Sequence, residues 1–376
     1  MFQYTGEYKK HNSSSSDMMN FYTFTPSPLC DGIPLPVDDE LFALLTKAHR
    51  LLGILEGMVM YSTVSNIIME LFCLKESCFS LLFDNADSIT FYDALKARSS
   101  KQESLHCINN LIVAQQYSYS KPITVSELSK ICGIIIHGSE STQAVEIRNK
   151  QIYYHRVGTN LKAYMPTAPE DILPAFDDLT RFIRMDNHTD LLIKAALVQY
   201  QFDMIRPYEN RNGMISRILI PMMLLSEQYR SAQYLCISEF LYSKKEEYFD
   251  KLSATQWGSG YSFWIKFFLQ AICYSAEQAI KQVSRFTEII AEDTVSVAEL
   301  AKSSKSVLPV YNYFKRYLIS EIKPIAAETG VSYNTNSKVI DLLVDVGILE
   351  LENMQLRNKV FKYSRIFDAM SILPDN

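Results

Sequence analysis

The feature that most constrains this chain is a short polar loop, RPYENRNG (206–213), set between two long apolar helical segments. The first belongs to helical patterning that runs from near Asp171 to about Ile205 with an interruption near Asn187, and the other is MISRILIPMMLLSEQ. The first delivers the chain to Pro207, and Asn212-Gly213 lets the backbone curl before the second begins. Free N–H groups and the positive dipole end at a helix start favour phosphate oxygens, and successive exposed amides form an anion nest. Arg217, one turn into the second helix, would project toward the same spot and could pair with a phosphate. Spacing alone favours an ordinary interhelix loop with Asn-Gly as its turn.

At 376 residues the chain should form two or three structural units. It is 48% hydrophobic with a net charge of -5, which argues against a protein built mainly to coat nucleic acid. Its seven cysteines include no C-x-x-C pair and no accompanying histidine cluster, so no metal site is expected and free thiols in a reducing cytosol are. The apolar runs are too short to cross a bilayer and the polar N-terminus lacks a signal-peptide core, so a cytoplasmic protein is expected.

Residues 1–36 read as a tail or a clasp over the main domain. A helical region follows over 37–120. It starts at the cap candidate Asp38 with a stripe of Leu41, Leu44, Leu45, Ala48, Leu51, Leu52 and Leu55, and includes a buried helix from about Ser65 to Phe83. The core spans 121–290, with Thr124 capping one helix and a β-hairpin around Gly158 within 144–167. A linker is expected at 291–306, then a last unit at 307–376 reading helix, turn, helix and two short strands.

The segment AALVQYQFDMIRPYENRNGMISRILIPMML resembles the signature of the Fic family, whose usual form is H-P-F-x-[DE]-G-N-G-R-x-x-R. Arg206 stands at the histidine, Pro207 agrees, and Tyr208 replaces Phe. Asn210 takes the acidic position, Arg211 the first glycine and Met214 the first arginine, while Asn212, Gly213 and Arg217 are kept. The likeness runs from about Pro34 to the C-terminus and implies a mostly α fold: a helical bundle with a β-hairpin flap and a C-terminal winged helix-turn-helix. It makes Ile152, Tyr153 and Tyr154 flap residues that align a target segment. It also implies AMP transfer from ATP to a protein hydroxyl, with Asn212, Gly213, Arg217 and Arg206 around the phosphates.

The substitutions work against that chemistry. The family histidine takes the hydroxyl proton; arginine stays protonated and cannot, and a general base is typically worth roughly 10²–10⁴-fold in rate. Magnesium is disfavoured because Asn210 offers a neutral carbonyl where a hard cation wants a carboxylate. Arg211 puts bulk, and an L-residue, where the backbone should approach phosphate. The extra arginines suit ATP or another nucleotide bound without turnover. They suit equally a structural pairing with Asp203 or Glu209.

The family often carries an inhibitory helix, [ST]-x-x-x-E-[GN], whose glutamate pairs with the second arginine of the signature. Here Ser80, Asp84 and Asn85 fit that pattern with aspartate for glutamate, and the i, i+4 spacing sets Ser80 and Asp84 on one face. The expectation is an Asp84–Arg217 pair that now serves the fold, with Asp84 as gate.

In the C-terminal unit, Asn334, Asn336 and Lys338 could address a DNA groove. Acids nearly balance bases there, so DNA binding would be weak, and winged helices also serve as packing units. Three functions stay open: a degenerate Fic regulator that binds a nucleotide or a protein partner, a divergent transferase of AMP or another phosphate-linked group, and a DNA-binding regulator. Protein target and oligomeric state are not legible.

Overall fold

The computed structural model describes residues 5–11, 21–33, 35, 38–62, 65–85, 89–100, 106–138, 144–155, 162–164, 166–186, 188–352 and 359–370. The fold is mostly α, with fifteen helices and three small sheets among the described residues. The N-terminal segment is a clasp with strands of its own: β1 (Gly6–His11) pairs antiparallel with β2 (Phe21–Pro26). Phe24 is buried beneath it, and the Thr5 hydroxyl donates to the Thr255 carbonyl at 3.0 Å, tying the ribbon to the core.

Helix α1 (Asp39–Met60) begins where the Asp38 carboxylate accepts from Leu41 N at 2.8 Å. Its buried positions Leu41, Ala48, Leu51, Leu52 and Leu55 recur at helical spacing. Helices α2 (Ser65–Phe83), α3 (Phe91–Ser100), α4 (His106–Ser118) and α5 (Val125–His137) follow, the last capped by Thr124 through Glu127 N. The hairpin of β3 (Tyr154–His155) and β4 (Lys162–Tyr164) pairs Tyr154 with Tyr164; its tip, Gly158 included, lies outside the described residues. Ile152 and Tyr153, expected on the flap strand, are partly buried just ahead of it.

Helices α6 (Pro169–Arg184), α7 (Leu191–Ile205) and α8 (Asn212–Ser226) carry the chain through the centre. A helix apolar on all sides has no face to give to water, and α7 is buried along nearly its whole length. Helices α9 (Ile237–Ser243) and α10 (Lys245–Gln256) lead to the long α11 (Tyr261–Ser303), which packs against α1 and α7. Trp264 of α11 is fully buried and donates to the Ala196 carbonyl at 2.8 Å.

The linker expected at 291–306 is absent: α11 runs through it to Ser303. The exposed face is polar enough to read as a break. The buried face continues through Phe286, Ile289, Ile290, Asp293 and Val297, at helical spacing. Tyr363 donates to the Asp293 carboxylate, and Arg365 bonds it at 2.7 Å, so the stretch expected to separate two units is the helix that joins them.

The C-terminal unit runs α12 (Val307–Tyr317), β5 (Ile319–Glu321), α13 (Ile322–Thr329), α14 (Tyr333–Asp345), β6 (Glu350–Leu351), β7 (Val360–Lys362) and α15 (Ser364–Met370). Its sheet is antiparallel in the order β5-β7-β6. Gly330 turns the chain between α13 and α14 at φ 70°, where L-residues are strained, and Ser332 caps α14 by accepting from Thr335 N. Asn334 and Lys338 are exposed. Asn336 is not: it is fully buried on the Val339, Ile340, Leu343 face and donates to the Val331 carbonyl at 2.9 Å. The expectation that it faces DNA is corrected, because its amide closes the turn.

All seven cysteines are free and buried or partly so. No helix among the described residues is long and apolar enough to cross a membrane.

Helix α2 is held by polar brackets along its length. Glu70 accepts from Arg316 of α12 at 2.9 Å and from Arg98 of α3 at 2.5 Å. Lys75 donates to Glu239 of α9 at 2.9 Å, with side-chain exposures of 2% and 3%. Breaking a buried pair by removing one partner strands the other charge. Lys75→Met should cost about 3–5 kcal/mol of stability. The double variant Lys75→Met/Glu239→Leu should recover most of it. Chemical-denaturation midpoints of the three proteins check this.

Candidate functional site

The loop between α7 and α8 is shaped by backbone geometry that few L-residues adopt. Arg206 ends α7 at φ 45° and Arg211 caps α8 at φ 66°, both left-handed. The Asn212 side chain closes the loop on itself: Oδ1 accepts from Tyr208 N at 2.9 Å and Nδ2 donates to the Tyr208 carbonyl at 2.6 Å. The Tyr208 ring is buried, and its hydroxyl lies 3.1 Å from Ser129 Oγ, anchoring the loop to α5.

Arg148, which sequence reasoning did not single out, fixes the loop from the flap side. It is buried, and its guanidinium donates to the carbonyls of Arg206 (2.8 Å), Lys150 (2.9 Å), Thr167 (2.5 Å) and Ile205 (3.2 Å). These include the carbonyls left over at the C-terminal end of α7. Burial and the neighbouring Arg206 charge push its pKa down to about 10, so it stays charged at neutral pH. The alternation of apolar and polar residues around it, AVEIRNKQIYY, gave no signal that this arginine is buried.

Of the two acids weighed as partners for Arg206, Asp203 is met at its backbone carbonyl, while its carboxyl feels the Arg206 charge. Arg206 is 4% exposed, and its Nε donates to the Asp203 carbonyl at 3.2 Å. The Asp203 carboxyl, fully buried, accepts from Tyr248. Burial pushes its pKa up, against the opposing pull of the Arg206 charge.

The expected Asp84–Arg217 pair is present. Arg217 Nη2 lies 3.0 Å from Asp84 Oδ2, and Nη1 3.3 Å from Oδ1. Ser80 adds its Oγ to Nε (3.0 Å) and to Nη2 (2.7 Å), and its carbonyl to Nη2 (3.1 Å). The guanidinium also lies 4.9 Å from the centre of the Phe83 ring. Burial opposes the charge, but Asp84 outweighs it and holds the pKa above the ordinary arginine value. A Cβ on Gly213 would sit 2.9 Å from Asp84 Oδ1, so only glycine leaves room for this carboxylate over the first turn of α8. The anion that a helix N-terminus attracts is supplied here by the chain itself.

A cleft of about 620 Å³ opens over the loop, lined by Asp84, Asn85, Arg206, Glu209, Asn210, Arg211, Asn212 and Gly213. Phe83, Ile136, Lys245, Tyr248 and Phe249 complete its lining. Of the four residues expected around phosphates, Arg206, Asn212 and Gly213 line it. Arg217 does not. It borders a small internal void together with Ser80, and it is Asp84, paired with it, that lines the cleft. Lys245 was missed as well; its Nζ donates to Asn85 Oδ1 at 2.9 Å, and burial lowers its pKa.

A family model for the Fic/DOC family matches residues 122–224, from just before α5 to the end of α8. Among solved structures, the chain superposes on a Fic family protein from Desulfovibrio desulfuricans G20 with a TM-score of 0.57 and 12% identity. That match covers 88% of this chain and 97% of the other. A Fic domain containing signaling protein from Bacteroides thetaiotaomicron VPI-5482 gives 0.50 and 14%, covering 63% and 98%. Both are likenesses of fold.

Two substitutions should move stability in opposite directions. Asp84→Ala leaves a buried guanidinium with Ser80 alone and should cost about 3 kcal/mol. Arg211→Gly relieves a left-handed L-residue, worth about 1–2 kcal/mol before glycine's entropic cost of about 0.5–1, and should raise the melting temperature slightly. Calorimetric scans of the two variants beside the native chain check both.

Proposed function

Because residues 122–224 form a Fic/DOC domain, its loop altered as described, we propose that the chain binds a nucleotide or a similar phosphorylated ligand in the cleft. It acts there as a regulator and does not transfer AMP. The observation that carries this reading is Arg206. It stands at the position of the family's base, is buried, and is directed to Asp203. A guanidinium in that place has no lone pair to take a proton from a target hydroxyl.

The metal side supports the same reading. Asn210 is exposed and offers at most a neutral carbonyl, and the one carboxylate beside it, Glu209, is also exposed. That donor set does not fit magnesium, which wants charged oxygens in strict octahedral geometry. No step is therefore routed through a metal. The cleft keeps what binding requires: cationic side chains, an aromatic wall and a volume within the ~300–1,000 Å³ of ligand pockets. DNA recognition by the C-terminal unit retains Asn334 and Lys338 but loses Asn336 to the turn.

Incubation of the native chain with α-labelled ATP, magnesium or manganese and a cell lysate should leave label on protein at background. Arg206→His should stay there too, because Asn210 and Met214 still stand where the signature has an acid and an arginine. Label transfer by the native chain would overturn the reading.

A further inference from the structure

Half of the left-handed non-glycine residues among those described lie at one cleft. Six residues other than glycine have positive φ among the described residues, and three of them, Asn85, Arg206 and Arg211, line the cleft. Strained conformations cluster where a function requires them. Arg211 is the informative case. Glycine would relieve the strain, yet the position carries a long cation, half-buried at the cleft and without hydrogen-bond or ion-pair partner among the described residues. Asn85, also left-handed, holds the second cation: its Oδ1 accepts from Lys245 Nζ. This partner is neutral, so the ammonium charge is not paired, although the Asp84 carboxylate acts on it from a distance.

Two cations at the cleft, Arg211 and Lys245, thus form no ion pair among the described residues; Arg206 beside them is buried against Asp203, and the donors of Arg217 are taken by Ser80 and Asp84. Anions beyond about two charges would meet the Asp84 carboxylate over Gly213 and the exposed Glu209. A phosphate monoester carries about 1.5–2 negative charges at neutral pH, which matches two cations. A triphosphate exceeds them. The lining also has an apolar wall, to which Ile136 and Phe249 contribute, with the Phe249 ring stacked on Phe83 at 6.1 Å and 14°. Such a wall suits a flat aromatic group.

Resting on the reading that this cleft binds a phosphorylated ligand, we propose that it selects a nucleoside monophosphate, the phosphate gripped by Arg211 and Lys245 and the base lying against the Phe249–Ile136 wall. Arg217 has no part in the contact; it keeps Asp84 in place.

Titration calorimetry of the full chain with AMP, ATP and inorganic phosphate, without magnesium, tests this. AMP should bind at least about tenfold more tightly than either of the others. Arg211→Ala and Lys245→Ala should each weaken AMP about tenfold or more, the scale of a charge-assisted contact. Lys245→Arg should keep most of the affinity. Circular dichroism confirms that each variant is folded. Asp84→Ala should narrow the gap between AMP and ATP by opening the way to Arg217.

ATP binding as tightly as AMP, or phosphate matching AMP, would overturn the proposed selectivity. Unchanged AMP affinity in both alanine variants would overturn the assigned grip while leaving nucleotide binding in the cleft intact. No binding of any of the three probes to the native chain would overturn the broader reading and this inference with it.

Discussion

A permanently charged guanidinium, 2% exposed, is the constraint around which the centre of this molecule is arranged. Desolvating such a group costs several kcal/mol unless its donors are met, and Arg217 meets that cost with one carboxylate, one hydroxyl, one carbonyl and one ring face. The partners come from the last turn of α2 and from Asp84 just after it, and that fixes where α2 must end. The choice of glycine at 213 follows, since any Cβ would push Asp84 off the pair. The loop conformation follows too, because α8 must start where Asn212 can close on the Tyr208 backbone and still leave Gly213 beneath Asp84. Removing the charge would leave Asp84, Ser80 and Gly213 without a reason to be what they are.

Much of this was legible in the sequence, for identifiable reasons. The helices of the core declare themselves by periodicity, and Asp38, Thr124 and Ser332 by capping chemistry, which is local and needs no tertiary information. The Asp84–Arg217 pair was legible through the resemblance to the Fic family, whose inhibitory helix pairs its acid with the second arginine of the signature. What stayed hidden depends on which face of a helix meets which neighbour. The polar stretch at 291–303 resembles a linker until Asp293 is seen to serve Tyr363 and Arg365. Asn336 resembles a groove-facing residue until its face proves to be that of Val339 and Ile340. Arg148 and Lys245 lie outside the signature segment, and only the fold brings them to it.

The position of α2 also limits how the site can change. Its last turn holds Arg217, its middle is tied to α9 through Lys75–Glu239 and Glu76–Ser238, and its early turns are tied to α12 through Glu70. A rigid shift of the whole helix would have to break a buried ion pair, whose members have almost no access to water to compensate them. Unwinding of the last turn spares that ion pair and breaks the contacts of Asp84, Ser80 and Phe83 with Arg217, along with the packing of Phe83 on Tyr248 and Phe249. It begins beside Asn85, where the backbone has already left the helical region at φ 50°. Local opening of a terminal turn is the lower-energy route in a structure whose stability is unevenly distributed. Access to Arg217 is therefore governed by the few residues between Ser80 and Asn85, and the two ends of α2 need not move together for the cleft to change its charge.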